Sequence, residues 1–427
     1  MPPRTVIDDL PGFQLSGLRW TVSHAFENSP FYRNILDKAH VIPKQIRSLD
    51  DLRRLPFVTA EDLSSDYPFP LRAVPFEKIV RIHASSGTTG KRKVMCYTQK
   101  DIDDWAAMFA RCYEMAQLSA SDRVQIAVGY GLWTAGAGFQ LGCERFGAMA
   151  VPVGPANADM HCQLLEDMQS TVFCATASMA LLIAEEIERR GIRDRISLKK
   201  FIFGAERHSC RMRQRIMEIT GAAHLFDIPG LTELYGPGTG LECTAHQGVH
   251  YWADYYILEI LNPDTLEPAL PGETGEMVVT SLRKEGAPLI RYRTRDLTRL
   301  LPEPCPCGYP LPRHDHLLGR SDDMFIFRAV NIYPGQIEHV LSQIPGVGSE
   351  YQVHLFRNAD GRDNMVLKVE SFFEPDSPDA ERDLVRSISE EIRSKLLVRA
   401  KVEIVEYGSL PRTDRKSKRV YDTRRND

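Results

Sequence analysis

The sequence predicts an α/β protein. A large N-terminal domain, with mixed or parallel sheets flanked by helices and a small β subdomain, precedes a smaller α+β domain. Three observations predict it. From about residue 120, apolar runs alternate with amphipathic stretches, the order that builds a parallel sheet with crossover helices. Between residues 255 and 300, strand-like segments stand close together with turn residues between them. Beyond the charged, glycine-containing stretch Gly319–Asp323, helical and strand patterns mix in a compact α+β order.

The elements follow in order. The first forty residues read as helix, with apolar positions at helical spacing from Leu18 to Ala25. Pro43, Pro56, Pro68, Pro70 and Pro75 then cut the chain into short pieces. The apolar runs at residues 124–130, 148–153, 171–176 and 199–206 read as strands, and the segments between them as helices. Residues 255–261, 275–282 and 296–301 read as the strands of the β subdomain, placed near residues 243–310. A helix from Pro334, strands at 351–357 and 364–372, a helix over 381–397 and a strand at 402–408 complete the pattern. These boundaries predict domains at 1–319 and 320–427.

Composition excludes several classes. The chain of 427 residues is 43% hydrophobic and 26% charged, ordinary for a globular protein with a sizeable core. A net charge of -4 gives no reason to expect nucleic acid or an anionic membrane as partner. No apolar run is long enough to span a bilayer, and the N-terminus lacks the pattern of a secretory signal. The nine cysteines are scattered, several within apolar runs, which suits a reducing cytoplasm.

The sharpest motif is Ser85-Ser86-Gly87-Thr88-Thr89-Gly90-Lys91-Arg92-Lys93. Its glycines let the backbone wrap an anion, its hydroxyls and N–H groups donate to phosphate oxygens, and its lysines supply charge. The glycine spacing is too short for a Walker loop, and Lys91 is not followed by Ser or Thr. A solvated turn before a basic strand has the same composition. Further along stand Gly204-Ala205-Glu206 after an apolar run, Asp227-Ile228-Pro229-Gly230-Leu231-Thr232-Glu233, and Ile290-Arg291-Tyr292-Arg293-Thr294-Arg295-Asp296. Taken singly, the first reads equally as a strand-to-helix turn and the last as surface charge alternation. Leu410 to Asp422, with Lys416 at its centre, reads by composition as a basic tail.

Cys243-x-x-His246 and Cys305-x-Cys307 offer four ligands of the kind tetrahedral zinc takes, and Pro306 and Gly308 shape a tight knuckle. The alternative is free cysteines on loops.

Together these strings resemble the phenylacetate-CoA ligase family of the adenylate-forming superfamily, nearly end to end. Arg81–Lys91 resembles its phosphate loop and Leu18–Arg33 its N-terminal helix. The resemblance implies that ATP and a small aromatic carboxylic acid form an acyl-adenylate, whose acyl group then passes to coenzyme A. It implies that Ser85, Ser86, Gly87, Thr88, Thr89, Gly90 and Lys93 grip phosphates and that Gly204, Ala205 and Glu206 line the adenine pocket. Thr232 would touch the α-phosphate, Glu233 hold Mg²⁺, and Asp296 bind the ribose hydroxyls. Arg320 would touch ribose or phosphate, Asp322 be the pivot of an interdomain hinge, and Lys416 be the catalytic lysine. His250 lies in a string shared with family members that lack the cysteines, and it is left out of the zinc set.

Tyr130, Gly131, Trp133, Ala135, Phe139 and Pro229 would line the substrate side. Trp133 and Ala135 are bulkier than the residues usual there, which favours a benzoate- or anthranilate-like acid unless Trp133 faces the core. Two positions depart from the family: Pro229 stands where a tyrosine usually packs on adenine, and Arg415 where a glycine precedes the lysine. They keep open a non-catalytic nucleotide-binding relative. An acyl-carrier protein is the other possible acceptor, and homodimers are common in the family.

Overall fold

A computed structural model of the chain describes residues 8–65, 67–85, 92–132, 134–205, 208, 210–328, 330–358, 362–371, 378–411 and 419–424. Its contacts divide the chain into two compact units, one of Met1–Ala205 with Met217–His316 and one of Glu206–Ile216 with Leu317–Asp427.

In the first unit the predicted N-terminal helix is two helices, α1 (Leu10–Asn28) and α2 (Pro30–Lys38). The break has a local cause: Pro30 lacks the N–H a continuing helix needs but fits a first turn. The Asp9 side chain caps α1 by accepting from the Gly12 N–H at 2.9 Å. Leu18, Thr21, Val22 and Ala25 make its buried stripe, the three- and four-residue spacing of one helix face. After the short α3 (Asp62–Ser65), strands β1 (Arg81–Ala84) and β2 (Val94–Tyr97) form an antiparallel hairpin. Helix α4 (Gln99–Met115) follows, its first turn capped by Thr98 and Asp101.

The central sheet is parallel throughout. Strands β3 (Arg123–Ile126), β4 (Met149–Val151), β5 (Val172–Thr176), β6 (Lys200–Gly204) and β7 (His224–Ile228) lie in the spatial order β4-β3-β5-β6-β7. Helices α5 (Ala135–Phe146), α6 (Ala158–Met168) and α7 (Ala177–Arg190) make three of the crossovers; α8 (Cys210–Thr220), most of which belongs to the second unit, lies between β6 and β7 in the chain. The inner strands β5 and β6 are runs of mostly buried apolar residues, as a sheet covered on both faces requires. The register sets Thr176 beside Gly204 and Gly204 beside Ile228, so the carboxyl ends of β5, β6 and β7 are level. The predicted α/β class is borne out here.

Beyond it, β8 (Gly230–Leu231) and β9 (Gly236–Pro237) form a small pair. Strands β10 (Gly240–Glu242), β11 (Val249–Tyr251), β15 (Leu300–Leu301) and β16 (Arg313–His314) make a sheet ordered β10-β11-β16-β15. Strands β12 (Tyr256–Leu261), β13 (Gly275–Ser281) and β14 (Tyr292–Thr298) are antiparallel neighbours. β14 starts four residues before the apolar pattern suggests. The arginines at its start are neutralised from the same sheet: Arg291, just before β14, reaches Glu259 on β12 at 3.0 and 2.9 Å, and Arg293 reaches Glu276 on β13 at 2.8 and 2.9 Å.

The second unit contains β17 (Gly319–Arg320), a hairpin of β18 (Phe325–Phe327) and β19 (Val330–Ile332), and helix α9 (Pro334–Ser342). Strands β20 (Val347–Arg357), β21 (Asp363–Ser371), β22 (Lys401–Val405) and β23 (Val420–Asp422) form a sheet ordered β22-β21-β20-β23, with α10 (Pro378–Leu396) between β21 and β22. Phe327, Ile337, Val353, Leu367, Val369, Ile388 and Ile392 are its core. Among the described residues of the chain, no helix is long and apolar enough to cross a membrane.

Candidate active site

Of four pieces of chain here, three meet around one buried carboxylate and the other is tied to the first of them. The first is the hairpin β1–β2, whose neck is closed by two hydrogen bonds. The Ser85 N–H donates to the Lys93 carbonyl at 3.0 Å, and the Lys93 N–H donates to Ser85 Oγ at 3.1 Å. The phosphate-loop motif is thus the connection between two paired strands. Ser86, Gly87, Thr88, Thr89 and Gly90 lie outside the described residues. The second piece is the turn after β3, where the Ala84 N–H donates to the Leu132 carbonyl at 2.8 Å and ties the neck to residues 130–132.

The third is the turn after β7. Glu233 is 5% exposed there. Its Oε1 accepts from Lys93 Nζ at 2.8 Å and from the Tyr292 hydroxyl at 2.9 Å. Burial pushes the carboxyl up, but the Lys93 ammonium and the hydroxyl more than offset this, so its pKa lies below the usual glutamate value. The fourth piece is β14, which supplies Tyr292. Past Tyr292 the pairing slips: Glu276 and Val278 on β13 face Leu297 and Arg293 on β14. Arg295 takes a left-handed backbone there (φ 68°), so strand alternation no longer dictates where Asp296 points. The Asp296 N–H donates to Thr294 Oγ1 at 3.0 Å.

A second buried cation stands behind the carboxylate. Lys284 is fully buried, donating to the Glu233 carbonyl at 2.9 Å and to the Leu234 carbonyl. Its ammonium lies 4.8 Å from the Tyr97 ring centre and 5.1 Å from that of Tyr235. Burial pushes its pKa down to about 8. The Tyr97 hydroxyl donates to the Tyr235 carbonyl at 3.0 Å and to the Thr232 carbonyl at 3.4 Å. The backbone from Thr232 to Tyr235 is therefore held from beneath by a lysine and a tyrosine. Neither stood out in the sequence, where Lys284 is one charge in a loop and Tyr97 one apolar strand residue.

Gly204 ends β6 beside Ile228, and Ala205 follows it. A Cβ on Gly204 would come within 2.2 Å of the Ile228 carbonyl oxygen, so only glycine permits this approach. Pro229 follows β7 at the same carboxyl edge, where open parallel sheets place their ligands. Glu206 lies outside the described residues. On the substrate side, Gly131 adopts φ 88° and Tyr130 packs its ring against Gly136, where a Cβ would meet it at 2.6 Å. Ala135 is buried in the first turn of α5. Phe139, one turn on, sits 5.0 Å ring to ring from Phe109. Trp133 lies outside the described residues.

In the second unit Arg320 grips Asp322 through two 2.8 Å hydrogen bonds. Lys416 and Arg415 lie outside the described residues, but both flanks of that segment are fixed to this unit's sheet. The Leu410 N–H donates to Glu370 Oε1 at 2.8 Å, and Arg419 forms an ion pair with Glu350 while its carbonyl accepts from the Val353 N–H at 2.8 Å.

The metal-ligand reading needs one correction. Cys243, Cys305 and Cys307 come together with His250, not with His246: the four ligand atoms lie within 4.8 Å of one another. Cys243 Sγ is 3.5 Å from Cys305 Sγ, and Cys307 Sγ is 3.3 Å from His250 Nε2. His246 is turned to other partners, with Nδ1 3.2 Å from Glu242 Oε1 and Nε2 3.3 Å from His224 Nδ1. Spacing misled because the CxxH pair closes a local turn, whereas β11 carries His250 across to the cysteine knuckle. The knuckle itself is as the sequence reads: the Gly308 N–H donates to the Cys305 carbonyl at 3.0 Å with Gly308 at φ 72°.

The hairpin neck, the carboxylate beside it and the level edge of parallel strands stand where comparison with known proteins places an adenylate-forming enzyme. Comparison agrees: a family model described as "AMP-binding enzyme" matches residues 27–282 and one described as "AMP-binding enzyme C-terminal domain" matches 329–424. The chain belongs to the AMP-binding enzyme family and, within it, to the phenylacetate-CoA ligase family. It is 41% identical to phenylacetate-coenzyme A ligase of Escherichia coli (strain K12) across 98% of this chain and 96% of that protein. It is 39% identical to the phenylacetate-coenzyme A ligase of Thermus thermophilus across 98% of this chain and 97% of that one. A crystal structure of 2-hydroxyisobutyryl-CoA ligase in complex with 2-HIB-AMP superimposes with a TM-score of 0.87 at 29% identity, covering 97% of this chain and 89% of that one.

Proposed function

We propose that this AMP-forming acid–coenzyme A ligase takes a benzoate-like aromatic acid, with the residue roles that follow. The carrying observation is the node at Glu233, where the phosphate hairpin, the post-β7 turn and β14 converge on one ionised carboxylate.

In the first half-reaction the acid's carboxylate oxygen bonds to the α-phosphorus of ATP and the bond to the bridging oxygen breaks, releasing pyrophosphate. Both partners are anions, so the site must aim positive charge at the transition state. Lys416 supplies it at the carboxylate and α-phosphate oxygens. The loop Ser85–Lys93 holds the β and γ phosphates, Thr232 the α-phosphate, and Asp296 the ribose hydroxyls. Gly204, Ala205 and Glu206 flank adenine, and Arg320 touches ribose or phosphate. In the second half-reaction the coenzyme A sulfur attacks the acyl carbon, the carbon–oxygen bond to AMP breaks and the thiol proton leaves to solvent. Lys416 has no part in that step, and Asp322 is the pivot on which it withdraws.

Mg²⁺ fits Glu233 by chemistry: the carboxylate is buried and ionised and follows Thr232 in the chain, a carboxylate and a hydroxyl being the hard oxygens this ion prefers. When bound, it offsets phosphate charge. Zinc fits Cys243, His250, Cys305 and Cys307. Tetrahedral ligation sets ligand atoms about 3.6–3.8 Å apart, and the Cys243–Cys305 and Cys307–His250 pairs stand at 3.5 and 3.3 Å. The Leu311 carbonyl, 2.9 Å from His250 Nδ1, selects the tautomer that leaves Nε2 as a ligand. Its role is structural, since protein atoms fill every position. No disulfide joins any of the nine cysteines, which suits a reducing compartment such as the cytoplasm.

The acid's length rests on the segment Tyr130–Phe139. Ala135 adds bulk at the base of α5, and the Tyr130 ring closes on Gly136, which together shorten the space for an arm between ring and carboxyl. The phenylacetate-coenzyme A ligases to which the chain is similar support a longer acid as the second reading. A panel of benzoate, anthranilate, hydroxybenzoates and phenylacetate, read by AMP release with coenzyme A or a carrier protein as acceptor, decides between them. Benzoate-type acids are expected to exceed phenylacetate by about tenfold in kcat/KM, the scale of one methylene in a fitted pocket. The reverse order refutes the short-acid reading.

A further inference from the structure

Lys93 makes an ion pair that the roles above leave unexplained. Its ammonium is at 2.8 Å from the same Glu233 oxygen that also accepts from Tyr292, and its Nζ is 3.3 Å from that hydroxyl. The pair is well enclosed, with the carboxylate side chain 7% and the lysine side chain 25% exposed. At its other end Lys93 is anchored, because its backbone N–H and carbonyl both bond Ser85 across the neck of the phosphate hairpin. The head of a long, flexible side chain is therefore free to move while its root stays beside the nucleotide loop.

We propose that Lys93 is an internal counter-cation that shares one seat with the divalent ion, and that nucleotide binding exchanges the two. This rests on the reading of Glu233 as the Mg²⁺ ligand. Two cations on one carboxylate oxygen in a partly buried site repel each other, so the oxygen serves one at a time. Without nucleotide, the ammonium keeps the buried carboxylate neutralised and ties the hairpin neck at Lys93 to the post-β7 turn. When the triphosphate arrives with its metal ion, Glu233 passes to the metal and Lys93 passes to the phosphate oxygens held by its own loop. No charge is left unpaired before or after, and no bond is made or broken. The device makes the protein a poor binder of free divalent ions and a good binder of the metal–nucleotide complex. Because linkage is reciprocal, the metal and the nucleotide recruit each other.

The test is Mn²⁺ binding to the full-length protein without nucleotide, followed by electron paramagnetic resonance of the free ion. Lys93→Gln and the smaller Lys93→Thr are expected to bind Mn²⁺ at least about tenfold more tightly than wild type, while Lys93→Arg, which keeps the charge, stays at the wild-type value. Adding Glu233→Gln to Lys93→Gln is expected to abolish the gain. Thermal unfolding establishes that each variant is folded, and either neutral variant suffices if the other is not. Equal Mn²⁺ affinity in wild type and the neutral variants overturns the exchange. A gain that survives Glu233→Gln instead overturns the assignment of Glu233 as the metal's ligand, so the two failures are told apart.

Discussion

Lys416→Ala is expected to lower adenylate formation by about a thousandfold, while conversion of supplied acyl-adenylate to the thioester stays within a few-fold of wild type. The asymmetry follows from charge. The first step drives a carboxylate against a phosphate, and removing the cation aimed at both leaves that repulsion uncompensated. In the second step a sulfur attacks a carbon already activated by its AMP leaving group, so the same lysine has no work to do. The anchoring of Leu410 to Glu370 and of Arg419 to Glu350 fixes where the segment starts and stops, so a local substitution leaves its roots intact. Lys418→Ala, which removes an equal charge two residues away, should cost little. Pyrophosphate release and thioester yield, measured separately on each variant, check this. Equal loss in both half-reactions, or equal loss from Lys416→Ala and Lys418→Ala, would make the segment a basic tail.

Loss of zinc is expected to have the largest effect on stability. The cluster joins Cys243 and His250, on either side of the β10–β11 turn, to a knuckle at Cys305–Cys307 that lies more than fifty residues further along. A metal ion there closes a long loop and ties β11 to the segment before β16. Structural zinc in small domains contributes about 10–16 kcal/mol of apparent binding free energy. Forfeiting even about 4 kcal/mol of it lowers the melting temperature by on the order of 10 °C. Purified protein should carry one zinc per chain, and Cys307→Ser and His250→Ala should each lose the metal and that stability. His246→Ala should keep both, since His246 is engaged with Glu242 and His224. Zinc retained in His250→Ala but lost in His246→Ala would restore the ligand set that sequence spacing suggests.

The contrast between those two histidines shows what a sequence displays and what it hides. Local patterns were legible. The apolar runs that became the inner strands β5 and β6 announce a covered parallel sheet because both their faces are buried, and a hydroxyl- and glycine-rich string between two strands announces a phosphate loop. Pairings over long separations were not. β14 hid its start because Arg291 and Arg293 look like surface charges until Glu259 and Glu276 are folded beside them. Tyr292, between those two arginines, gave no sign of its hydroxyl meeting Glu233, fifty-nine residues earlier in the chain. Lys284 reads as a loop charge, although it lies beneath the backbone of Glu233 and Leu234. Such residues are set by tertiary contact, and only a strand period interrupted by charge hinted at them.

The central claim is that an aromatic acid is activated as its adenylate before coenzyme A takes part. Exchange of labelled pyrophosphate into ATP by the wild-type protein, with no coenzyme A present, tests it most directly. The account predicts exchange that requires Mg²⁺ and an aromatic acid and proceeds without the thiol. Exchange that is absent for every aromatic acid, or that appears only when coenzyme A is added, would contradict it.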